Sequence, residues 1–389
     1  PIYQTAAYNH QSAEDLEKIF GGRKPGFVYT RVGNPTAALF ERRIAELERG
    51  AGASAFSSGM AAISAAIMNI VESGDELISG GGIFGGTSSF FREMKHFGVR
   101  VNYVETDRVE NFAERITDRT KAIYVETIGN PKLDVPDIAG LAKLAHENDL
   151  PLIVDSTITT PCLIRPLEIG ADVVIHSTSK MINGGGNSLG GIVVVGKQFA
   201  WNAEKFPALG DFKHFGAMNY IVKLRSRMLT DFGGCASPFN IFMTNVGLDT
   251  LALRMERACE NASALVEFCS AIDGVDVNYP GLSGNRFREL AARQFGNRFG
   301  TMFTLRFGSK ARAFEFLNSL QFALKASNIG DVRTLAIHPE STIYCNATDD
   351  EKSFAGVFDD LIRVNVGIEN IDDLIGDFNR ALKKIRAEQ

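Results

Sequence analysis

The sequence has few of the residue patterns that mark metal, disulfide and membrane proteins. Its five cysteines are odd in number, widely spaced and without a CxxC pair, which predicts reduced thiols and a cytoplasmic protein. The six histidines form no HxxxH or HExxH pair, so we predict no metal site. No apolar run approaches the length of a bilayer span and no signal-peptide pattern opens the chain, so we expect no membrane partner.

The chain also lacks an excess of positive charge. Its 41 Lys and Arg residues against 46 Asp and Glu residues give a net charge of -5, which argues against nucleic acid as a partner. A length of 389 residues with 45% hydrophobic content is enough for two domains and a large core. The sequence begins at Pro1 rather than Met, so we expect a segment that precedes it.

Between residues 53 and 195, short apolar runs alternate with helical segments. The runs are ASAF, ELIS, RVNYV, AIYVE, LIVD, DVVIH and GIVVV. This alternation predicts an α/β fold with a seven-stranded, mostly parallel sheet flanked by helices, whose ligands bind beyond the carboxyl ends of the strands. From about residue 239 the pattern changes to long amphipathic helices and scattered strands, which predicts a smaller C-terminal α+β domain. Its predicted strands lie in FGTMFTLRFG, FALKAS and IRVNVG, and further helices are predicted at 310–319 and 370–387.

The stretch ADVVIHSTSK, residues 171–180, places three hydroxyls and one amine just past a buried strand. A lysine held there lies close to apolar surface, where desolvation lowers its pKa and frees the amine to form a Schiff base. Lys180 is therefore a candidate nucleophile. The alternative is a solvated surface lysine, and only other features at the same sheet edge argue against it.

Two further features fall at that edge. Asp155 ends a wholly apolar strand, where a carboxylate needs a cationic partner, although a cap for the next helix is the alternative role. Ser57, Ser58 and Gly59 open a helix of small residues. The exposed amides of such a helix N-terminus suit a phosphate, and a plain N-cap is the alternative.

A glycine pattern offers a competing interpretation. Gly80-x-Gly82-x-x-Gly85 follows a strand and has Glu105 twenty residues past Gly85, as in the dinucleotide fingerprint of a nicotinamide-dependent oxidoreductase. It follows the second strand rather than the first, however, and gives Lys180 no function. Phe84 at its centre is instead a candidate aromatic face for a flat ligand, with buried packing as the alternative.

Together, the lysine, the aspartate, the aromatic face and the phosphate cradle are the parts of a pyridoxal-phosphate site. Asp155 would keep the pyridine nitrogen protonated, which makes the ring an electron sink. The Lys180 amine would carry protons once the substrate replaces it. A catalytically silent ligand-binding or scaffold protein on the same fold is a third interpretation.

The motifs YTR, SSGMA, FGGT, ETIGNP, VDST, HSTSK and RVNVG resemble those of the Cys/Met-metabolism family of pyridoxal-phosphate (PLP) enzymes of fold type I. The likeness runs from PIYQT at residue 1 to the C-terminal helix. Residues 1–31 show no clear core periodicity, which predicts an arm that contacts a neighbouring subunit, with a capping helix as the alternative. The pattern further on predicts a PLP-binding domain over 32–238 and a C-terminal domain over 239–389. The resemblance also implies a dimer with shared sites and, beyond it, a homotetramer.

The resemblance further implies roles for individual residues. Those that would hold the cofactor are Lys180 (the covalent link), Asp155 (ring nitrogen), Phe84 (ring face), Asn130 (ring hydroxyl), Gly59, Met60, Ser177 and Ser179 (phosphate), and Tyr29 and Arg31 (phosphate in the adjacent subunit). Those that would bind the substrate are Arg363, Ser327 and Asn130. In the strand IRVNVG, Arg363 falls on a polar face, where a guanidinium can grip a carboxylate with two hydrogen bonds.

Within the family, the segment SNIGDVRTLAIHPEST (residues 327–342) and the insertion at 281–300 are similar to O-acetylhomoserine sulfhydrylases. This predicts that sulfur replaces the acyl group at the γ-carbon of homoserine, giving homocysteine and acetate for methionine biosynthesis. A methionine or cystathionine γ-lyase and a cystathionine γ-synthase are the alternatives. The sequence leaves open an acetyl or succinyl ester, and sulfide, a thiol or a carrier-protein thiocarboxylate as sulfur donor.

Two positions depart from the family pattern. Phe84 stands where relatives usually have a tyrosine that stacks on the ring, and it can stack but cannot donate a proton. This suits an ester substrate, since a carboxylate leaving group needs little help from an acid. After Lys180, the stretch MINGGGNS stands where relatives commonly have an aromatic residue and a histidine.

Overall fold

A computed structural model describes residues 1–387, and its larger sheet follows the seven predicted apolar runs. In chain order the strands are β1 (Gly52–Phe56), β2 (Glu76–Gly80), β3 (Arg100–Val104), β4 (Thr120–Glu126), β5 (Leu152–Asp155), β6 (Val173–His176) and β7 (Gly191–Val195). Their spatial order is β1-β7-β6-β5-β4-β2-β3, and only β7 runs antiparallel to its neighbours. The predicted α/β fold with a mostly parallel sheet is confirmed.

Both faces of this sheet are covered, which explains why its strands are apolar throughout. Val173 and Val174, successive residues of β6, belong to two different apolar cores. Ile153 and Val154 of β5 divide in the same way. Successive side chains of a strand point to opposite faces, so each core covers one face and a continuous β-branched run is needed.

Helices follow most of these strands. In chain order the α-helices are α1 (Ala13–Phe20), α2 (Pro35–Leu47), α3 (Gly59–Met68), α4 (Gly85–Met94), α5 (Val109–Ala113), α6 (Ile138–Glu147), α7 (Thr160–Leu163), α8 (Asn219–Lys223), α9 (Pro238–Leu248), α10 (Leu251–Ser270), α11 (Arg288–Phe295), α12 (Lys310–Ser319), α13 (Asp349–Phe354) and α14 (Ile371–Ala387). Segments of 3₁₀ or π helix lie at Lys95–Phe97, Pro166–Ile169, Pro207–Met218 and Leu224–Leu229.

A second sheet, with an apolar core of its own, forms the C-terminal part. Its strands are β8 (Asp276–Asn278), β9 (Met302–Arg306), β10 (Leu324–Lys325), β11 (Leu335–Ile337) and β12 (Leu361–Asn365), in the spatial order β10-β11-β12-β9-β8. The predicted strands near β9, β10 and β12 and the predicted helix at 310–319 are present. The helix predicted at 370–387 is present as α14, from Ile371 to Ala387.

The divisions after residues 31 and 238 stay predictions. The N-terminal segment includes α1, which has no buried residue. None of the helices in residues 1–387 combines the length and the apolar character that crossing a bilayer requires. In the same residues, no group of three or more His, Cys, Asp or Glu side chains is arranged to hold a metal ion.

Candidate active site

One cavity at the carboxyl edge of the larger sheet contains most of the predicted site residues. Its volume is about 220 Å³. The predicted residues that line it are Gly59, Met60, Phe84, Asn130, Asp155, Ser177, Ser179, Lys180, Ser327 and Arg363. A larger cavity of about 500 Å³, between α4 and α13, contains none of them. The smaller cavity is therefore the candidate active site.

Lys180 enters this cavity from the turn that follows β6. Its Nζ donates a hydrogen bond to Asn328 Oδ1 at 2.5 Å. Burial, and next the positive charge of Arg363, lower the pKa of Lys180. The direction of this shift is the one predicted from the sequence, and it favours a neutral, nucleophilic amine.

The turn that carries Lys180 is held from two sides. Arg254 of α10 donates to the carbonyls of Met181 at 2.6 Å and Ile182 at 3.1 Å. On the other side lies Gly330, with a left-handed φ of +73°, where an added Cβ would be only 2.3 Å from the Met181 nitrogen. Only glycine allows this approach, and the backbone of the lysine is fixed as a result.

Asp155 ends β5 on the cavity wall. Its Oδ1 accepts hydrogen bonds from the Thr157 amide at 2.9 Å and the Thr157 hydroxyl at 2.5 Å, and Tyr124 Oη is 3.4 Å from Oδ2. These partners are neutral, and burial raises the pKa of Asp155. A buried carboxylate with neutral partners suits a cationic N–H group that enters from the cavity. Asp155 does not cap the next helix, because its hydrogen bonds go to Thr157 whereas α7 begins at Thr160 with Thr159 as its N-cap.

The N-terminus of α3 forms the opposite wall. Ser58 is its N-cap and accepts from the Ala61 amide at 3.1 Å, while Gly59 and Met60 carry the first helical N–H groups. Such amides have no acceptor within their own helix and point towards an anion. An added Cβ on Gly59 would lie 2.6 Å from Ser177 Cβ, so glycine is needed for helix and serine to meet.

Replacing Gly59 by alanine should therefore weaken cofactor binding. Overpacking costs roughly 1–3 kcal/mol, which corresponds to about a 5- to 150-fold loss of affinity. Spectroscopic titration of the variant with PLP measures this loss. The control is Gly376→Ala on the exposed side of α14, where a Cβ meets nothing within 4 Å and should leave affinity unchanged. Equal affinity in the Gly59 variant and the wild type would contradict the assignment.

The two serines of HSTSK differ in their hydrogen bonds. The Ser177 amide donates to Thr157 Oγ1 at 2.8 Å, which connects the serine to Asp155 through Thr157. The Ser179 hydroxyl donates to the Gly190 carbonyl at 3.1 Å and accepts from its amide at 2.9 Å. Ser179 thus connects the two ends of the glycine-rich loop that follows Lys180. Its hydroxyl has to release the Gly190 carbonyl before it can donate a hydrogen bond to a phosphate.

Arg363 reaches the cavity from β12 of the second sheet. Its Nη1 donates to Asn130 Oδ1 at 2.9 Å and its Nη2 to the Asn328 carbonyl at 3.3 Å. Its Nε is buried and has no hydrogen-bond partner among residues 1–387. Burial lowers the pKa of Arg363 to about 10, so the guanidinium stays charged at neutral pH. A buried cation with an unsatisfied N–H suits a carboxylate ligand.

Phe84 precedes α4, lies on the cavity wall and is 36% exposed. Its amide donates to Glu126 Oε1 at 2.6 Å. Glu126 ends β4 in register with Asp155, and burial, followed by the charge of Asp155, raises the pKa of Glu126 well above its usual range. The Glu126 carboxyl therefore fixes the backbone of Phe84, and its raised pKa disfavours a second negative charge beside Asp155.

Among the site residues that were not identified from the sequence are Glu126, Thr157 and Asn328. Glu126 carried the same signal as Asp155, an acid at the end of an apolar strand, and Thr157 lies inside the VDST motif. Asn328 offered no signal, since its contact with Lys180 spans 148 residues.

The glycine fingerprint has a packing explanation. An added Cβ on Gly82, or on Gly129, would lie 1.9 Å from Asp134 Oδ1. The Phe84 amide, which a diphosphate would need, is bound by Glu126. The Asp134 carboxyl thus fills the space beside Gly82, and the Glu126 carboxyl binds the N–H group of Phe84. A dinucleotide would need both, which argues against the oxidoreductase interpretation.

Tyr29 and Arg31 lie outside the cavity of their own chain. Tyr29 is 43% exposed, and the Arg31 guanidinium carbon is 5.4 Å from the centre of its ring. Arg31 also donates to the Thr230 carbonyl at 2.5 Å. Their predicted contact with an adjacent subunit stays a prediction.

The geometry agrees with what comparison with known proteins shows. Residues 1–383 match the family model described as Cys/Met metabolism PLP-dependent enzyme. The chain belongs to this family. A homocysteine synthase of Schizosaccharomyces pombe is 39% identical over 98% of this chain and 93% of the relative. An O-acetyl-L-homoserine sulfhydrylase of Leptospira meyeri is 38% identical over 99% of this chain and 92% of the relative.

This Cys/Met metabolism PLP-dependent enzyme also resembles a solved structure in its three-dimensional fold. A Campylobacter jejuni chain assigned as an O-acetylhomoserine (thiol)-lyase superimposes with a TM-score of 0.94 at 31% identity, covering 98% of this chain and 94% of the other. That structure holds a pyridoxyl-lysine phosphate. The predicted family, fold type I architecture and PLP cofactor are confirmed.

The residues present fit the cofactor of this Cys/Met metabolism PLP-dependent enzyme. The buried Asp155 with neutral partners suits the ring N–H, and the first amides of α3 beside Ser177 suit the phosphate. Lys180 supplies the amine, and the Phe84 ring supplies a flat face.

Proposed function

We propose that this enzyme replaces the acetyl ester of O-acetyl-L-homoserine with sulfur, giving homocysteine and acetate. The proposal rests on one observation: Lys180, Asp155 and Arg363 line the same cavity of about 220 Å³. The names of the relatives from Schizosaccharomyces pombe and Leptospira meyeri support the same substrate class.

Bound PLP supplies an electron sink for negative charge at the α-carbon of the amino acid. The chain supplies positioning and proton transfer. Arg363 binds the substrate carboxylate through the N–H groups that its protein partners leave free, with Ser327 and Asn130 beside it. Asp155 holds the proton on the ring nitrogen. The Lys180 amine moves protons at the α- and β-carbons, and Ser177 with Gly59 and Met60 holds the phosphate.

The cavity favours a small neutral acyl group. Its lining includes the apolar side chains of Ile63, Ile158 and Leu189, and its only cations among the described residues are Lys180 and Arg363. Both cations already have roles, so the second carboxylate of a succinyl ester would enter without a partner. We therefore propose the acetyl ester as the substrate.

The proposal is tested by supplying the purified enzyme with O-acetyl-L-homoserine and sulfide. Homocysteine and acetate should form in equal amounts, and O-succinyl-L-homoserine should react at least about tenfold more slowly, since an unpaired buried charge costs more than 1.4 kcal/mol. A γ-lyase would instead release oxobutyrate from methionine or cystathionine. Formation of oxobutyrate at a rate above that of homocysteine would overturn the proposal.

Phe84→Tyr should leave turnover of the ester nearly unchanged. A carboxylic acid has a pKa about four units below that of a thiol, so acetate leaves without a phenol to protonate it. Because a general acid contributes about 100-fold or more where it is used, a change of that size in either direction would contradict this account. The measurement is kcat for O-acetyl-L-homoserine, and Phe322→Tyr on the exposed surface is the control.

We extend the proposal to the assembly. Exposed Tyr29 and Arg31 would reach the phosphate of an adjacent subunit in a dimer, and two dimers would form a tetramer. The enzyme would act in the cytoplasm. Its sulfur donor would be sulfide, a thiol or a carrier-protein thiocarboxylate. Mixed dimers of Arg31→Ala and Lys180→Ala chains test the shared site. They should recover activity that neither variant has alone, and no recovery would refute the exchange of residues.

A further inference from the structure

Asn328 connects the two basic groups of the active site. Its Oδ1 accepts from Lys180 Nζ at 2.5 Å, and its backbone carbonyl accepts from Arg363 Nη2 at 3.3 Å. None of the roles described above requires a side chain that accepts a hydrogen bond from the lysine amine.

The position of Asn328 is fixed relative to the lysine backbone. Two residues further on, the Gly330 amide donates to Asn365 Oδ1 at 2.6 Å. Gly330 packs directly on the peptide between Lys180 and Met181, where an added Cβ would be 2.3 Å from the Met181 nitrogen. The backbone of Asn328 is therefore held in place. Two rotatable bonds separate it from the side-chain oxygen, whereas the lysine amine is carried on four.

Chemistry at a γ-carbon makes a demand that chemistry at the α-carbon does not. A proton has to leave the α-carbon, and a second proton has to leave the β-carbon before the γ-substituent departs. One amine serves both carbons only if it moves away from its starting place beside the α-carbon. An amide oxygen suits this task, since it accepts an N–H bond and is not itself a base near neutral pH.

We propose that Asn328 is a positioning residue that holds the free amine of Lys180 within reach of the β-carbon of the bound amino acid. The inference rests on the proposed γ-carbon chemistry for its need of a β-proton transfer. The titratable groups that line the cavity beside Lys180 are Glu126, Asp155 and Arg363, and the amine donates to Asn328.

Exchange of protons in an unreactive amino acid tests the proposal. L-Norvaline has no leaving group and needs no sulfur donor, so its exchange in deuterated water reports on proton transfer even if the ester or the donor is assigned wrongly. In the Asn328→Leu holoenzyme, NMR should show β-proton exchange slowed about 10- to 100-fold, because a misplacement of 1 Å can cost a factor of 10². Exchange at the α-carbon should change by less than about threefold, since that carbon lies beside the starting place of the amine.

Two variants separate positioning from a structural effect. Asn328→Asp keeps an oxygen acceptor and should retain the wild-type ratio of β- to α-exchange. Asn318→Leu, on the exposed side of α12, should change neither rate. Parallel loss of both exchanges in Asn328→Leu, an unchanged ratio, or a wild-type enzyme that exchanges only the α-proton would overturn the proposal.

A readout independent of turnover comes from the holoenzyme itself. The resting absorption spectrum of Asn328→Leu should match that of the wild type, which shows that the cofactor is bound. In a crystal of wild-type holoenzyme with L-norvaline, Nζ of Lys180 should lie about 3 Å from Asn328 Oδ1. An amine directed elsewhere in that crystal would refute the assignment.

Discussion

Lys180→Ala protein should be purified colourless, and its turnover of O-acetyl-L-homoserine should fall by at least about 1,000-fold, because nucleophile and proton carrier are lost together. Wild-type protein should be yellow and should bleach with borohydride. The variant should not bleach, since no other lysine lines the cavity among the described residues.

The matched control for this change is Lys197→Ala, an exposed lysine after β7. It should keep the colour and the activity of the wild type. A yellow Lys180→Ala protein that bleaches with borohydride would show that another amine carries the cofactor. Colour without turnover in the wild type would favour a silent ligand-binding protein.

Asp155→Asn should reduce kcat by about 100- to 1,000-fold, the size of effect seen when a charge-stabilising group is removed from an active site. The amide keeps the shape of the carboxyl group and its contact with Thr157, but it cannot hold a positive ring nitrogen. The absorption spectrum of the variant should change as well, because the protonation of the ring changes with the charge at Asp155.

Asp134→Asn is the matched control for the aspartate. Asp134 is also fully buried near the same sheet edge, and burial raises the pKa of its carboxyl, but it does not line the cavity. Because Asp134 does not touch the cavity and an amide has the shape of a carboxyl group, its replacement should change kcat by less than about threefold. Equal loss in the two variants would mean that the effect of Asp155 is structural.

The larger sheet and one half of the site could be predicted because periodicity and spacing are local signals. Asp155 and Lys180 are 25 residues apart, the length of one strand-helix-strand step, and adjacent parallel strands end at one edge. β8 and β11 were not predicted, since strands of three residues are too short to show an alternating pattern.

The other half of the site depends on contacts that no spacing encodes. Arg363 was assigned to the substrate from its motif, yet its contact with Asn130 joins residues 233 positions apart. Asn130 was assigned to the ring hydroxyl and to the substrate, and no spacing indicated that its Oδ1 accepts from Arg363. Such pairings depend on how the second sheet docks on the first, and docking is decided by shape rather than by any local pattern.

The cavity takes its amine from one sheet and its carboxylate receptor from another. The enzyme can therefore recognise an amino acid only when the two halves of the chain are correctly packed together. A fragment that ended before β8 would retain the phosphate cradle and the lysine but would lack any means of telling an amino acid from a simple amine.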